Sequence, residues 1–166
     1  MASIKGIELK NLKDFRGHEG ETLVQGDVYY KGKKVGYYSQ DSWGGCDIFN
    51  LDYDLDKNLK EEVNGVINNY VGGKIFKALD ELYDKIYNIN FKHTIKQIGY
   101  EYLFADLLQL QEHEDFYKKY TKKWNIPHIA IVYTKPWESY ICVEVKKEDK
   151  DKPYYRYNGL EDFIIE

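Results

Sequence analysis

A chain of 166 residues, 43% of them hydrophobic, is long enough for one ordinary domain that buries roughly 70% of the surface its unfolded form exposes, so no covalent staple is needed. Its 24 basic and 28 acidic residues leave a net charge of −4, without the basic field that neutralises phosphates, which disfavours nucleic acid as a direct partner. Apolar runs such as IAIVY (129–133) fall far short of the roughly 20 residues a bilayer span needs, which argues against a membrane partner.

The first third reads as strands. One is expected from Ser3 to Leu12, and Thr22–Tyr30 and Lys34–Gln40 flank a turn at Lys31-Gly32-Lys33, where glycine supplies the positive φ of a tight hairpin. After Gly44-Gly45, the run IFNLDYDLD alternates. It predicts a strand with Phe49, Leu51, Tyr53 and Leu55 on one face, and Asn50, Asp52, Asp54 and Asp56 on an acidic outer face. A helix should start near Asn58, capped by that side chain with Glu61 reaching back, and run along Leu59, Val63, Val66, Ile67 and Tyr70. Gly72-Gly73 should interrupt it before a second stripe of Ile75, Leu79, Leu82 and Ile86, with a short strand over Asn88–Ile95.

Tyr100 to Trp124 predicts the longest helix, with Leu103, Leu107, Leu110, Tyr117, Tyr120 and Trp124 on one side. Lys118, Lys119, Lys122 and Lys123 lie at the end favoured by the helix dipole, and Pro127 stops the helix. HIAIVYT is apolar on both faces, as in a central strand, and SYICVEVK alternates Ile141, Val143 and Val145 against Cys142, Glu144 and Lys146, with a hairpin turn at Pro136. KKEDKDK reads as a solvated turn, YYRYN as an edge strand and GLEDFIIE as a short closing helix. The expected fold is a single α+β domain over residues 1–166, an antiparallel sheet of N-terminal and C-terminal strands with the helical middle packed on it.

No catalytic, metal or nucleotide fingerprint is complete. The aspartates of DYDLDKNLKEE resemble the start of an EF-hand loop, but Lys57 and Val63 stand where that loop needs glycine and glutamate. His18, His93, His113 and His128 are scattered, without zinc spacing, and His18 and His113 read as surface residues. Cys46, behind two glycines, would need His18 as its base to act as a nucleophile, and the local sequence matches no thiol-protease signature. Two cysteines, Cys46 and Cys142, are too few for a disulfide framework, and a lysine-rich chain without a secretory leader points to the cytoplasm. Glu144 and Lys146 on one strand face suggest the second half of the PD-(D/E)xK nuclease signature, which would use Mg²⁺ and an acid from the long helix, Glu101 or Glu112. The strand before them offers no aspartate and no crossover helix follows, so a nuclease is the alternative reading. Catalytic residues, metal ligands and cofactors are otherwise not assigned.

Aromatic residues crowd GYYSQDSWGGCDIF, and the chain holds 17 tyrosines, good strand residues that also make amphipathic contact plates. Tyr37, Tyr38 and Trp43 are candidate anchors, with Asp41, Asp47, Asp52, Asp54 and Asp56 supplying negative charge suited to a basic protein surface. If those aromatics lined a pocket instead, a small ligand such as a nucleotide would be sequestered. Exposed edge strands would permit a homodimer.

The block of residues 28–49, with Gly32, Lys33, Lys34, Val35, Gly36, Ser39, Asp41, Gly44 and Gly45, resembles a G-K-K-V-G-x-x-S-x-D-x-x-G-G hairpin and loop found in small uncharacterised proteins of bacteriophages and other mobile elements. The resemblance implies a phage or mobile-element accessory gene acting inside a bacterial host, and abundant Lys, Asn, Ile and Tyr fit an A/T-rich genome. It transfers no catalytic residue. The function it implies is binding, with inhibition or modulation of a host protein, anti-defence included, as the expected outcome.

Overall fold

A computed structural model describes residues 1–72, 81, 99–135 and 138–166. Strand β1 (Ser3–Ile4) reverses at Lys5-Gly6 into β2 (Ile7–Arg16), so the single strand expected from Ser3 to Leu12 is a small hairpin followed by a longer strand. Asn11, with φ at 54°, marks an irregularity where the pairing of β2 shifts register between Lys10 and Lys13. β3 (Thr22–Tyr30) and β4 (Lys33–Ser39) are joined by two residues, Lys31 and Gly32, whose φ values of 48° and 81° are both left-handed. That is the backbone whose twist matches the flanking strands, and it starts β4 one residue earlier than the composition of the turn implies.

β5 (Ile48–Leu51) lies on the far side of β4. Its approach requires glycine at position 36, because a Cβ there would stand 2.3 Å from the Asn50 carbonyl oxygen. The alternating run does not continue the strand to Asp56. The chain leaves the sheet after Leu51, the Leu55 N–H reaches back to the Asp52 carbonyl, and the predicted inward residue Tyr53 is 97% exposed. Aspartate in such a run competes for backbone donors, and here it favours turn and cap over ladder.

Helix α1 (Lys57–Asn68) is capped by Asp56, whose carboxylate accepts from the N–H groups of Asn58 and Leu59. Asn58 is therefore inside the helix, and Glu61 faces Lys57 at 3.9 Å instead of reaching back to a cap. The second stripe expected over 75–86, the break at Gly73, the strand at 88–95 and the turn at Pro136 lie outside the described residues.

Helix α2 (Tyr100–Trp124) has the bounds its periodicity predicts and stops at Asn125, in the left-handed conformation with its N–H on the Thr121 carbonyl, two residues before Pro127. Its apolar face, Leu103, Phe104, Leu107, Leu110 and Tyr117, is buried in one core cluster. That cluster joins Ile4, Ile7, Leu9, Val28, Val35 and Tyr38 to Ile129, Ile131, Tyr133 and Tyr157. Each fully buried side chain of this size stabilises the fold by about 1.5–3 kcal/mol relative to exposure.

The C-terminal strands β6 (Ile129–Lys135), β7 (Glu138–Cys142) and β8 (Tyr154–Tyr157) form a sheet of their own in the order β7-β6-β8. Ile129 to Tyr133 are all buried, as a strand apolar on both faces requires. β7 ends at Cys142, so the alternation through Lys146 is not strand. KKEDKDK contains a 3-10 turn, Lys147–Asp149, whose Asp149 is buried, and a second 3-10 turn, Leu160–Phe163, takes the place of the closing helix. The chain then makes β9 (Ile164–Ile165), parallel to β1, with Ile165 packed against the core and Ile164 exposed. The larger sheet reads β5-β4-β3-β2-β1-β9. The domain is thus α+β with helix in the middle of the chain, but among the described residues its strands divide between two sheets, and β9 alone of the described C-terminal strands joins the first. Among the described residues no helix is long and apolar enough to cross a membrane.

Candidate functional site

Strand register sorts the aromatic residues. Tyr37 pairs with Asp27 and Asn50, and Ser39 with Gln25 and Ile48, so these side chains share the side of the sheet opposite to Tyr38 and Phe49. Tyr38 is fully buried, its ring 4.5 Å from that of Phe104. Its hydroxyl donates to Asp47, and burial first, then that carboxylate, pushes its phenol far above the usual range. Tyr38 is a core residue and leaves the set of candidate partner contacts. Tyr37, 38% exposed, stays on the surface with its hydroxyl on the Gln25 side-chain oxygen. Ile48 joins it at 46% exposed, on the same side as Asn50 as the parity of IFNL requires.

The β4–β5 loop is fixed by its own polar groups. The Gly45 N–H donates to the Asp41 carboxylate at 2.6 Å, and the Gly44 N–H to the Asp41 carbonyl at 3.3 Å, with Gly44 at a φ of 74°. The His18 N–H donates to the Ser42 carbonyl at 2.8 Å, tying the loop to the β2–β3 connection. Trp43 stands at the tip, 74% exposed, with its ring stacked on the His18 ring at a centroid distance of 4.0 Å. No single segment predicts that stack, because its two rings come from different loops.

The acids are less free than their number suggests. Asp41 holds the loop, Asp47 takes the Tyr38 hydroxyl while its carbonyl takes that of Tyr100, and Asp56 caps α1. Lys34, paired with Asp27 at 2.8 Å, is also drawn by Asp52. Asp54 is exposed, and because the strand ends at Leu51 the three acids 52, 54 and 56 do not share a strand face.

Cys46 is exposed but is not set up as a nucleophile. Its thiol is hydrogen-bonded to Glu101, whose carboxylate raises the thiol pKa and disfavours the thiolate, while His18 is engaged by Trp43. Glu144 and Lys146 both follow the end of β7. Lys146 is extended and faces Glu148 at 3.9 Å, so the shared strand face that a nuclease signature needs is not formed. Among the described residues no group of three or more His, Cys, Asp or Glu side chains is placed to hold a metal ion.

His113 is the largest departure from the expected surface. It is 3% exposed, with Nδ1 at 3.1 Å from the Tyr157 hydroxyl, and burial lowers its pKa to about 4. Neighbouring Glu114 is also buried. Burial would raise its carboxyl, but Lys118, the Met1 amine and the Ala2 N–H outweigh it and hold the carboxyl below its ordinary value. The signal for both was present in the gap between Leu110 and Tyr117, where the helical stripe must pass through positions 113 and 114. Compared with known proteins, the chain matches no family model, no curated protein and no solved structure.

Proposed function

We infer that this chain is a binding protein of phage or mobile-element origin that acts in the bacterial cytoplasm by holding, and so inhibiting or modulating, a host protein, as an anti-defence factor would. The observation that carries this reading is Trp43, a large aromatic ring left 74% exposed yet stacked on His18. A ring left that open to water buries little apolar surface and so adds little to the stability of the fold beyond its one stack. A ring already fixed in place loses little freedom on docking, which is what an interface anchor needs. Tyr37 and Ile48 extend the apolar surface across the outer side of β4 and β5, and the exposed Asp54 together with a net charge of −4 suits a partner with a basic surface.

The test is capture from a bacterial lysate by the parent chain and by Trp43→Ala, with bound proteins identified by mass spectrometry. A host protein held by the parent should be lost from the variant, since truncating an aromatic anchor weakens binding by about thirtyfold or more. Asp52→Lys with Asp54→Lys should weaken the same capture, and raised salt should weaken the parent. Retention of one identical set of proteins by parent and Trp43→Ala would overturn the reading.

A further inference from the structure

A second site lies on the outer side of the small sheet. Across β7-β6-β8, Ala130 is opposed by Cys142 and Arg156, and Val132 by Tyr140 and Tyr154, so these residues share the side away from Ile131 and the core. That side is not bare, because Ala130 and Val132 are both 0% exposed. The segment that follows β7 folds back over it and is pinned at both ends. At one end, His128 Nε2–H donates to the Val143 carbonyl at 3.0 Å. At the other, buried Asp149 accepts from the Tyr140 hydroxyl and from Lys152 Nζ at 2.7 Å. Between strap and sheet remains an open pocket of about 460 Å³, lined by His128, Glu144, Val145, Lys150, Tyr154 and Arg156.

The lining is unusual for this chain. Arg156 is one of only two arginines, with Arg16, and the pocket sets Arg156 and Lys150 against the single acid Glu144 in a molecule of net charge −4. Among the described residues none of the three charged groups is hydrogen-bonded or ion-paired. Arg156 does act on the Cys142 thiol: burial raises that pKa, and the charges of Arg156 and Lys146 pull it back down. A guanidinium presents a planar fork matched to phosphate oxygens, and a nearby ammonium adds a movable second donor. Tyr154, 46% exposed, and Val145 offer a ring and an apolar surface beside them.

We propose that this pocket binds a small organic phosphate of the nucleoside monophosphate class. Arg156 and Lys150 take the phosphate, the Tyr154 ring and Val145 cover the base, and the Glu144 carboxylate accepts a hydrogen bond from a ring or exocyclic N–H. The volume falls within the roughly 300–1,000 Å³ typical of small-ligand sites. The site is separate from the Trp43 tip, so the two functions are separable by mutation.

Calorimetric titration of the full chain with AMP, GMP, adenosine and inorganic phosphate tests this. At least one nucleotide should bind saturably, and adenosine at least about tenfold more weakly, because it lacks the charge that Arg156 and Lys150 recognise. Arg156→Gln should lower nucleotide affinity by about tenfold or more with an unchanged melting temperature, since the side chain is exposed and makes no structural pair. Tyr154→Leu should weaken nucleotide binding and leave inorganic phosphate unaffected. Trp43→Ala should bind nucleotide as the parent does. No saturable heat from either nucleotide at about 1 mM, or equal affinities in parent and Arg156→Gln, overturns the proposal. Inorganic phosphate binding as tightly as both nucleotides overturns the assignment to an organic ligand.

Discussion

Replacing His113 by asparagine should remove an acid sensitivity that the parent protein carries between neutral pH and about pH 5. The imidazole is held neutral by burial, with a pKa of about 4 in the fold against an ordinary value of 6.5. Below pH of about 6.5 the unfolded chain takes up a proton that the folded chain refuses, so the unfolded state gains and stability falls as pH falls. The full effect, reached below the folded value, is about 3.4 kcal/mol. Over the accessible window from about pH 7.5 to about pH 5 it is about 2 kcal/mol. Asparagine keeps a polar atom near the position of Nδ1, which faces the Tyr157 hydroxyl at 3.1 Å, but does not titrate. Urea unfolding followed by far-ultraviolet circular dichroism at several pH values reads the difference. With a denaturant slope of about 2 kcal/mol per molar, the parent midpoint should drop by about 1 M across the window. Asparagine leaves unfilled space and lowers absolute stability, so the readout is the dependence on pH. The depressed carboxyl of Glu114 contributes with the same sign, but only below its ordinary value of 4.5, outside this window. Equal slopes in parent and His113→Asn, or a parent stability that does not change down to about pH 5, would refute the burial of a neutral imidazole at this position.

Gly36→Ala should destabilise the fold by about 1–3 kcal/mol and release β5 first, seen as early amide exchange at Ile48–Leu51, because its new methyl meets the Asn50 carbonyl oxygen. Asp56→Ala removes the acceptor for two orphan N–H groups of α1 and should lower stability by about 1 kcal/mol in the same urea assay, whereas Asn58→Ala should have a smaller effect. Alkylation of Cys46 by iodoacetamide at about pH 7.5 should be slower than that of a free thiol and should accelerate in Glu101→Gln, since the thiolate is the reacting species and Glu101 raises the thiol pKa.

Much of the scaffold is legible in local pattern. The hairpin at Lys31-Gly32 follows from turn chemistry, α2 follows residue for residue from its 3.6-residue period, and β6 follows from an apolar run short enough to be strand. Where the reading departs from the structure, a local signal has two outlets. The alternation of IFNLDYDLD satisfies a strand pattern, but aspartates also close turns and cap helices, and Asp56 is drawn into the start of α1. ICVEVK alternates equally well, yet β7 stops at Cys142 because His128 and Asp149 draw the following segment back over the sheet. His113 and Asp149 are polar residues in polar local runs, QEHED and KKEDKDK, which points to solvent, yet both are buried. In the fold His113 faces the buried Tyr157 from a distant segment, and Asp149 is held by the Tyr140 hydroxyl from β7 and by Lys152 within its own turn.

The candidate tip divides in the same way. Local sequence placed an exposed tryptophan beside a glycine pair, and strand parity alone separates Tyr37 from Tyr38. The commitment of Asp41 to the Gly45 N–H and of the Asp47 carboxylate to Tyr38 stays within the loop and its flanking strand, whereas the stack of Trp43 on His18, the bond from the Tyr100 hydroxyl to the Asp47 carbonyl and the effect of Glu101 on Cys46 join residues distant in the chain. So, too, does the pocket that brings His128, Glu144, Lys150 and Arg156 together. Composition and periodicity determined the α+β class, most element positions and the apolar faces, because each depends on residues within a turn or two of one another. Which polar groups are free to meet a partner was decided only when tertiary contacts had consumed the others, and that is a property of neighbours in space.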